Sequence, residues 1–257
     1  MRKDALPITA CTLVLGVFGA FLRWLQTMNL YEESGLARRG APISWVLLAY
    51  GVLALAFFAA VVLVWLRRSR AERAPELALR PANLFFPVAA WVLAAVFVCC
   101  ALVLMFTAPS AAFPRLQRVF GAAAIFGGLS FPLLPGRRDG AAPGGLDRLG
   151  GAVCTLFFCF WLIFAYKTGA DRDPVLWRCG PEMLAIVANT LAIYFVAAWY
   201  FSRPSPKAAV FFLQLAAFLD IAVFFDSRSL ILTVMFTVCA LLCLLLEYLV
   251  LSNLREN

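Results

Sequence analysis

Histidine is missing from all 257 residues, and only 14% of the chain is charged. Without an imidazole, Ser-His catalysis, His-ligated metal and histidine proton relays are excluded within this chain. Lysine is scarce as well. Lys3, Lys167 and Lys207 fall at helix ends or in loops, so no mid-helix amine is placed to hold a retinal Schiff base. The fixed array of several Asp residues that lipid-headgroup transferases carry is absent around Asp139 and Gly140. No nucleotide, cofactor or metal motif stands out, so the expectation is a protein that is not an enzyme and uses no cofactor.

The eight cysteines do not form a disulfide framework. Cys11, Cys99, Cys100, Cys154, Cys159, Cys239 and Cys243 sit inside apolar runs, where Cys behaves as a small hydrophobe, and only Cys179 lies in a loop. The net charge of +8 is spread between apolar segments and has no aromatic-basic module beside it, which argues against nucleic acid.

What the chain has in excess is apolar residue, 64% of the total with a mean hydropathy of +0.90. Soluble domains hold about 45–50% apolar residues, and a chain of this size still needs a polar surface. Lipid removes that need. A helix crosses a bilayer with about 20 apolar residues, and eight such runs can be marked at 7–24, 43–66, 82–106, 113–134, 151–166, 183–201, 208–225 and 230–251. The expected fold is therefore an all-α polytopic transmembrane bundle of about eight spans in one membrane domain. The fourth and fifth runs are the weakest, and six spans with a re-entrant hairpin is the alternative.

The linkers read as punctuation. Residues 67–80 are basic, and 135–151 are rich in Gly and Pro, the composition of a flexible connector. The opening Met-Arg-Lys-Asp and its apolar run read as a retained first span, because too few residues separate the charges from Cys11 for a cleaved signal. With both termini on one side, that side carries thirteen of the 22 Lys and Arg residues. The positive-inside rule then places the termini in the cytoplasm of a cell-membrane protein. Polar connectors after the first and fifth spans, each followed by Pro42 or Pro181 at a helix start, suggest two parallel four-helix halves.

A few polar residues lie where lipid should exclude them. Asp220 stands in an apolar run six residues before Asp226, about 9 Å along the helix. A carboxylate at a helix centre costs about 2.5–3.5 kcal/mol on insertion scales, so it should face the bundle interior and find a partner. Arg23 at the end of the first span is the first candidate, and Arg118 the second. Gln214 and Asn189 could join Asp220 in a polar cavity between the sixth and seventh spans. Glu247 is a further buried acid on one helix face with Cys239 and Cys243, expected near the cytoplasmic interface beside Tyr248. Gly16, Gly19 and Ala20, with Ala123, Ala124, Gly127 and Gly128, have the small-residue spacing of close helix contacts.

These features lead to a small-solute or ion transporter, or a ligand-binding membrane protein, with Asp220 at its site. The alternative is a signalling or assembly component that binds another membrane protein, and a His-independent lipid-modifying enzyme ranks last.

Overall fold

Hydrocarbon offers no hydrogen-bond partners, so each apolar run must satisfy its own backbone, which the α-helix does within one segment. The structure is a computed structural model and describes residues 5–30, 42–65, 69–70, 78–81, 83–107, 113–136, 144–172, 179–226, 229–253 and 255–256. Eight long helices run through them. They are α1 (Ala5–Leu30), α2 (Pro42–Ala60), α3 (Phe85–Phe106), α4 (Pro114–Ser130), α5 (Gly145–Arg172), α6 (Gly180–Tyr200), α7 (Pro206–Ala222) and α8 (Leu230–Ser252). A π turn (Val61–Trp65) prolongs α2, and a 3-10 turn (Phe131–Leu133) prolongs α4. The strands β1 (Ser69–Arg70) and β2 (Arg255–Glu256) are two residues each and pair antiparallel. The protein is an all-α membrane-helix bundle.

Seven of the helices are long and apolar enough to cross a membrane. The exception is α7, whose 17 residues reach about 26 Å against a hydrocarbon core of about 30 Å. Its neighbours fix its course. Gly136 N donates to Leu79 O at 2.8 Å, and Asn253 Nδ2 donates to Ala78 O at 3.1 Å and to Arg80 O at 2.9 Å. The second of these Asn253 bonds and a 2.6 Å bond from Tyr200 Oη to Leu134 O lie at that same end. The end of α6 and the end of α8 therefore lie at one end of the bundle, and α7 must run back across the bundle for α8 to return.

The helices α3 through α8 pack in sequence, and α8 closes the circuit against α3. Helix α1 lies on α7 and α8, and α2 lies outside it, touching α1 and α7. This arrangement does not repeat. Helix α6 packs along α7, whereas α2 leaves α3 to its contacts with α4 and α8, so the expected pair of like halves is not seen in the neighbour relations.

Helix α8 separates two interiors of different chemistry. Toward α3, α4 and α5 the filling is aromatic, with Trp161 against Phe236 at 4.8 Å and Phe120 stacked on Phe164 at 4.1 Å between ring centroids. Toward α1, α6 and α7 it carries polar side chains. Small residues bring the helices close enough for both. A Cβ on Gly16 would lie 2.9 Å from Ile221, and one on Gly127 only 2.5 Å from the Phe157 ring, so α1 sits against α7 and α4 against α5 because these positions have no side chain.

The run at 151–166 is longer than its apolar part. Helix α5 starts at Gly145, where the Asp147 side chain accepts from Gly144 N at 2.7 Å. An acid in the first turn suits the positive end of the helix, and this local bond outweighs the glycines that read as a flexible connector.

Candidate functional site

The polar residues that the apolar pattern leaves unexplained gather on α1, α6, α7 and α8. On α8, Cys239, Cys243 and Glu247 recur every fourth residue and share one face. All three are fully buried. That face meets polar groups of three other helices, and two small networks result.

The first network joins α6, α7 and α8. Asn189 Nδ2 donates to Asp220 Oδ1 at 2.7 Å and also to the Ala185 carbonyl one turn earlier at 3.0 Å. The Cys243 thiol donates to Asn189 Oδ1 at 3.4 Å. Asn189 thus uses both ends of its amide, one toward the acid and one toward the thiol. It is 1% exposed, as is Asp220.

The second network joins α1, α7 and α8. Gln214 Nε2 donates to Glu247 Oε1 at 3.0 Å, and Thr12 Oγ1 donates to the same oxygen at 3.1 Å. Thr12, Gln214 and Glu247 are each wholly buried. Among the described residues, Oε2 of Glu247 and Oε1 of Gln214 have no hydrogen-bond partner. Gln214 precedes Asp220 by six residues on α7, so the two networks lie about 9 Å apart along that helix.

A third polar contact stands another six residues on. Arg23 Nε meets Asp226 Oδ1 at 2.9 Å, with both side chains largely buried. A second guanidinium nitrogen of Arg23 donates to Gln26 Oε1, and Gln26 Nε2 reaches Ser44 Oγ on α2 at 3.2 Å. Thr12 lies level with Gln214, and Arg23 level with Asp226. Hence α1 and α7 run parallel, and the polar groups form a seam from one end of these helices to their middle.

The expected site residues separate under this geometry. Asp220 and Asn189 are brought together, while Gln214 turns to Glu247 rather than completing a cavity with them. Arg23 pairs with Asp226, an acid that served in the sequence only as a marker of the helix end. Arg118 is exposed on α4, which packs on α3 and α5, and so stands apart from the seam. Glu247 is enclosed by α1 and α7 through Thr12 and Gln214. Thr190 turns back to the Ile186 carbonyl of its own helix at 2.8 Å.

Thr12 was missed because a hydroxyl in an apolar run resembles helical Thr residues such as Thr155, Thr168, Thr190 and Thr237, which bond their own backbone. Its oxygen does contact Ile8 O at 3.3 Å, yet it also reaches Glu247. The one signal for it is its position eleven residues before Arg23, matching the twelve between Gln214 and Asp226. Of the connectors singled out in the sequence, Tyr31, Glu32, Glu33, Arg38, Arg39, Asp173, Trp177 and Arg178 lie outside the described residues.

The seam offers carboxyl, amide, hydroxyl and thiol groups at membrane depth, a set able to bind a proton, a cation or a small polar solute. Neither the family models, nor the curated proteins, nor the solved structures give a match to this chain, so its chemistry is argued from this multi-pass membrane bundle alone.

Proposed function

We propose that this protein carries a small solute or ion across a cell membrane, with the seam of Asp220, Asn189, Gln214 and Glu247 as its binding element. The reading rests on one observation: two acidic side chains, Asp220 at 1% and Glu247 at 0% exposure, sit between helices in a bundle whose described interior is mostly apolar. Acids inside membrane segments are costly and mark substrate or ion pathways. A purely structural role would be filled more cheaply by apolar packing.

In this reading the N- and C-termini face the cytoplasm, following the Lys and Arg distribution. The Arg23–Asp226 pair then closes the outer end of the seam, with Gln26 and Ser44 tying α2 to it.

A thermal-stability screen of the detergent-purified protein against ions, amino acids, vitamins and lipids tests it, run beside Asp220→Asn. A bound ligand raises the melting temperature by mass action. A compound that stabilises the wild type, and loses that effect in a folded Asp220→Asn protein, supports the reading. A screen without hits, with the variant merely less stable, makes the seam structural. It would then favour a component that binds another membrane protein, for which α2 is the available helix, since few of its residues, Ala54 and Phe58 among them, are buried in the bundle.

A further inference from the structure

Glu247 and Gln214 face each other as a carboxyl and a primary amide, and the hydrogen atoms between them do not balance. Gln214 Nε2 gives one hydrogen to Glu247 Oε1, which also receives one from Thr12. Across the pair, Glu247 Oε2 and Gln214 Oε1 are both buried acceptors with no donor among the described residues. An ionised carboxyl only accepts, whereas a protonated one has an O–H to give. A proton on Oε2 supplies the one donor that Gln214 Oε1 lacks. With the two planar groups turned toward each other, acid and amide would close a ring of two hydrogen bonds in which a single hydrogen satisfies both oxygens.

The surroundings favour this state. The described partners of Glu247 are the neutral Thr12 and Gln214, and the thiol one turn earlier on the same face of α8, Cys243, is committed to Asn189. A buried carboxylate with one bare oxygen carries a large desolvation cost, and neutralising the group removes it.

We propose that Glu247 is a proton-binding site that rests protonated at neutral pH, its Oε2–H donated to Gln214 Oε1 and its Oε1 capped by Thr12. The proton is taken from water during assembly and returns to water when the α7–α8 contact opens. This inference stands whether or not the chain carries a further solute.

Infrared spectroscopy of the full-length protein in detergent at neutral pH tests it, with 13C-labelled glutamate to separate Glu247 from Asp220. The expected result is a carboxylic-acid C=O band that shifts with the label, vanishes in Glu247→Gln and persists in Asp220→Asn. The Glu247→Gln protein should fold and melt close to wild type, because its new amide donates to Gln214 Oε1 as the acid did, while Glu247→Leu melts lower. A labelled protein with carboxylate bands alone overturns the proposal. So does a Glu247→Gln protein that fails to fold or melts as low as Glu247→Leu, since the negative charge would then be required. Loss of the acid band on adding sodium chloride, with a rise in melting temperature absent from Glu247→Gln, overturns it in favour of a sodium site.

Discussion

Arg23 of α1 meets Asp226, just beyond the end of α7, with Nε and Oδ1 2.9 Å apart although the two residues stand 203 positions apart in sequence. Both side chains are more than nine-tenths buried, so the pairing replaces part of the hydration that each charge would have in water. Removing one member of such a pair leaves an uncompensated charge and costs about 3–5 kcal/mol, whereas replacing both with apolar residues is often close to neutral. Asp226→Ala should therefore lower the melting temperature sharply, and Arg23→Met combined with Asp226→Leu should recover most of the loss. Thermal denaturation of the four proteins in one detergent measures both. Equal losses in the single and double variants would show that the pair is not what holds this end together.

Asn189 is the hinge of the first polar network, because one amide serves both Asp220 and Cys243. Asn189→Leu takes the donor from Asp220 Oδ1 and the acceptor from the Cys243 thiol at once. Taking a hydrogen-bond partner from a buried polar group costs about 1–3 kcal/mol. Asp220→Asn should be milder, since an Asn oxygen still accepts from Asn189 Nδ2. The expected order of melting temperatures is wild type, then Asp220→Asn, then Asn189→Leu. An Asn189→Leu protein as stable as wild type would remove the network from the account.

Much of this fold was legible in the sequence, and the reason is the solvent. A bilayer imposes one length and one polarity on every crossing segment, so α3 and α8 were bounded to within about three residues by hydropathy alone. The ends of α5 escaped because its first turn is made by a side-chain bond from Asp147, a contact invisible to an average over apolar residues. At the site, Asp220 and Glu247 were visible as misplaced charges. Their partners were not, because pairing is set by which helices are neighbours. That α1 lies beside α7 follows from Gly16 and Gly19 meeting Ile221 and Phe218, and that the two run parallel follows from Thr12 and Gln214 sharing Glu247 while Arg23 meets Asp226. The small-residue spacing announced a close contact without naming the other helix.

Gly127 and Gly51 make a matched test of that packing. A Cβ at Gly127 would stand 2.5 Å from Cγ and 2.6 Å from Cδ1 of Phe157, atoms near the root of a ring wedged between Phe97, Phe120 and Trp161. The ring cannot swing away, so α4 and α5 must separate. Overpacking of this kind costs about 1–3 kcal/mol. At Gly51 on α2 nothing lies within 4 Å of the new atom. There Ala gains helix propensity, and the change should be neutral or stabilising by up to about 1 kcal/mol. Gly127→Ala should melt below wild type and Gly51→Ala at or above it. The reverse order would contradict the α4–α5 contact.

The meeting of Leu79, Gly136 and Asn253 at one end of the bundle makes a topological prediction that is independent of the proposed function. Two helices separate Leu79 from Gly136, two more lead to the end of α6 at Tyr200, and α7 and α8 lead from there to Asn253. Each pair of crossings returns the chain to the same side. Single cysteines at Gly136, Arg203 and Asn253, introduced after replacing the native cysteines by Ala or Ser, should all react with a membrane-impermeant maleimide from one face of sealed vesicles. A cysteine at Thr27, near the opposite end of α1, should react only from the other face. If α7 merely dipped into the membrane and returned, Arg203 and Asn253 would be labelled from opposite faces, because α8 alone would separate them. Labelling of the first three from the cytoplasmic face would also fix the orientation that the Lys and Arg distribution favours. Labelling from the outer face alone would invert the molecule and leave the bundle and the seam as they are.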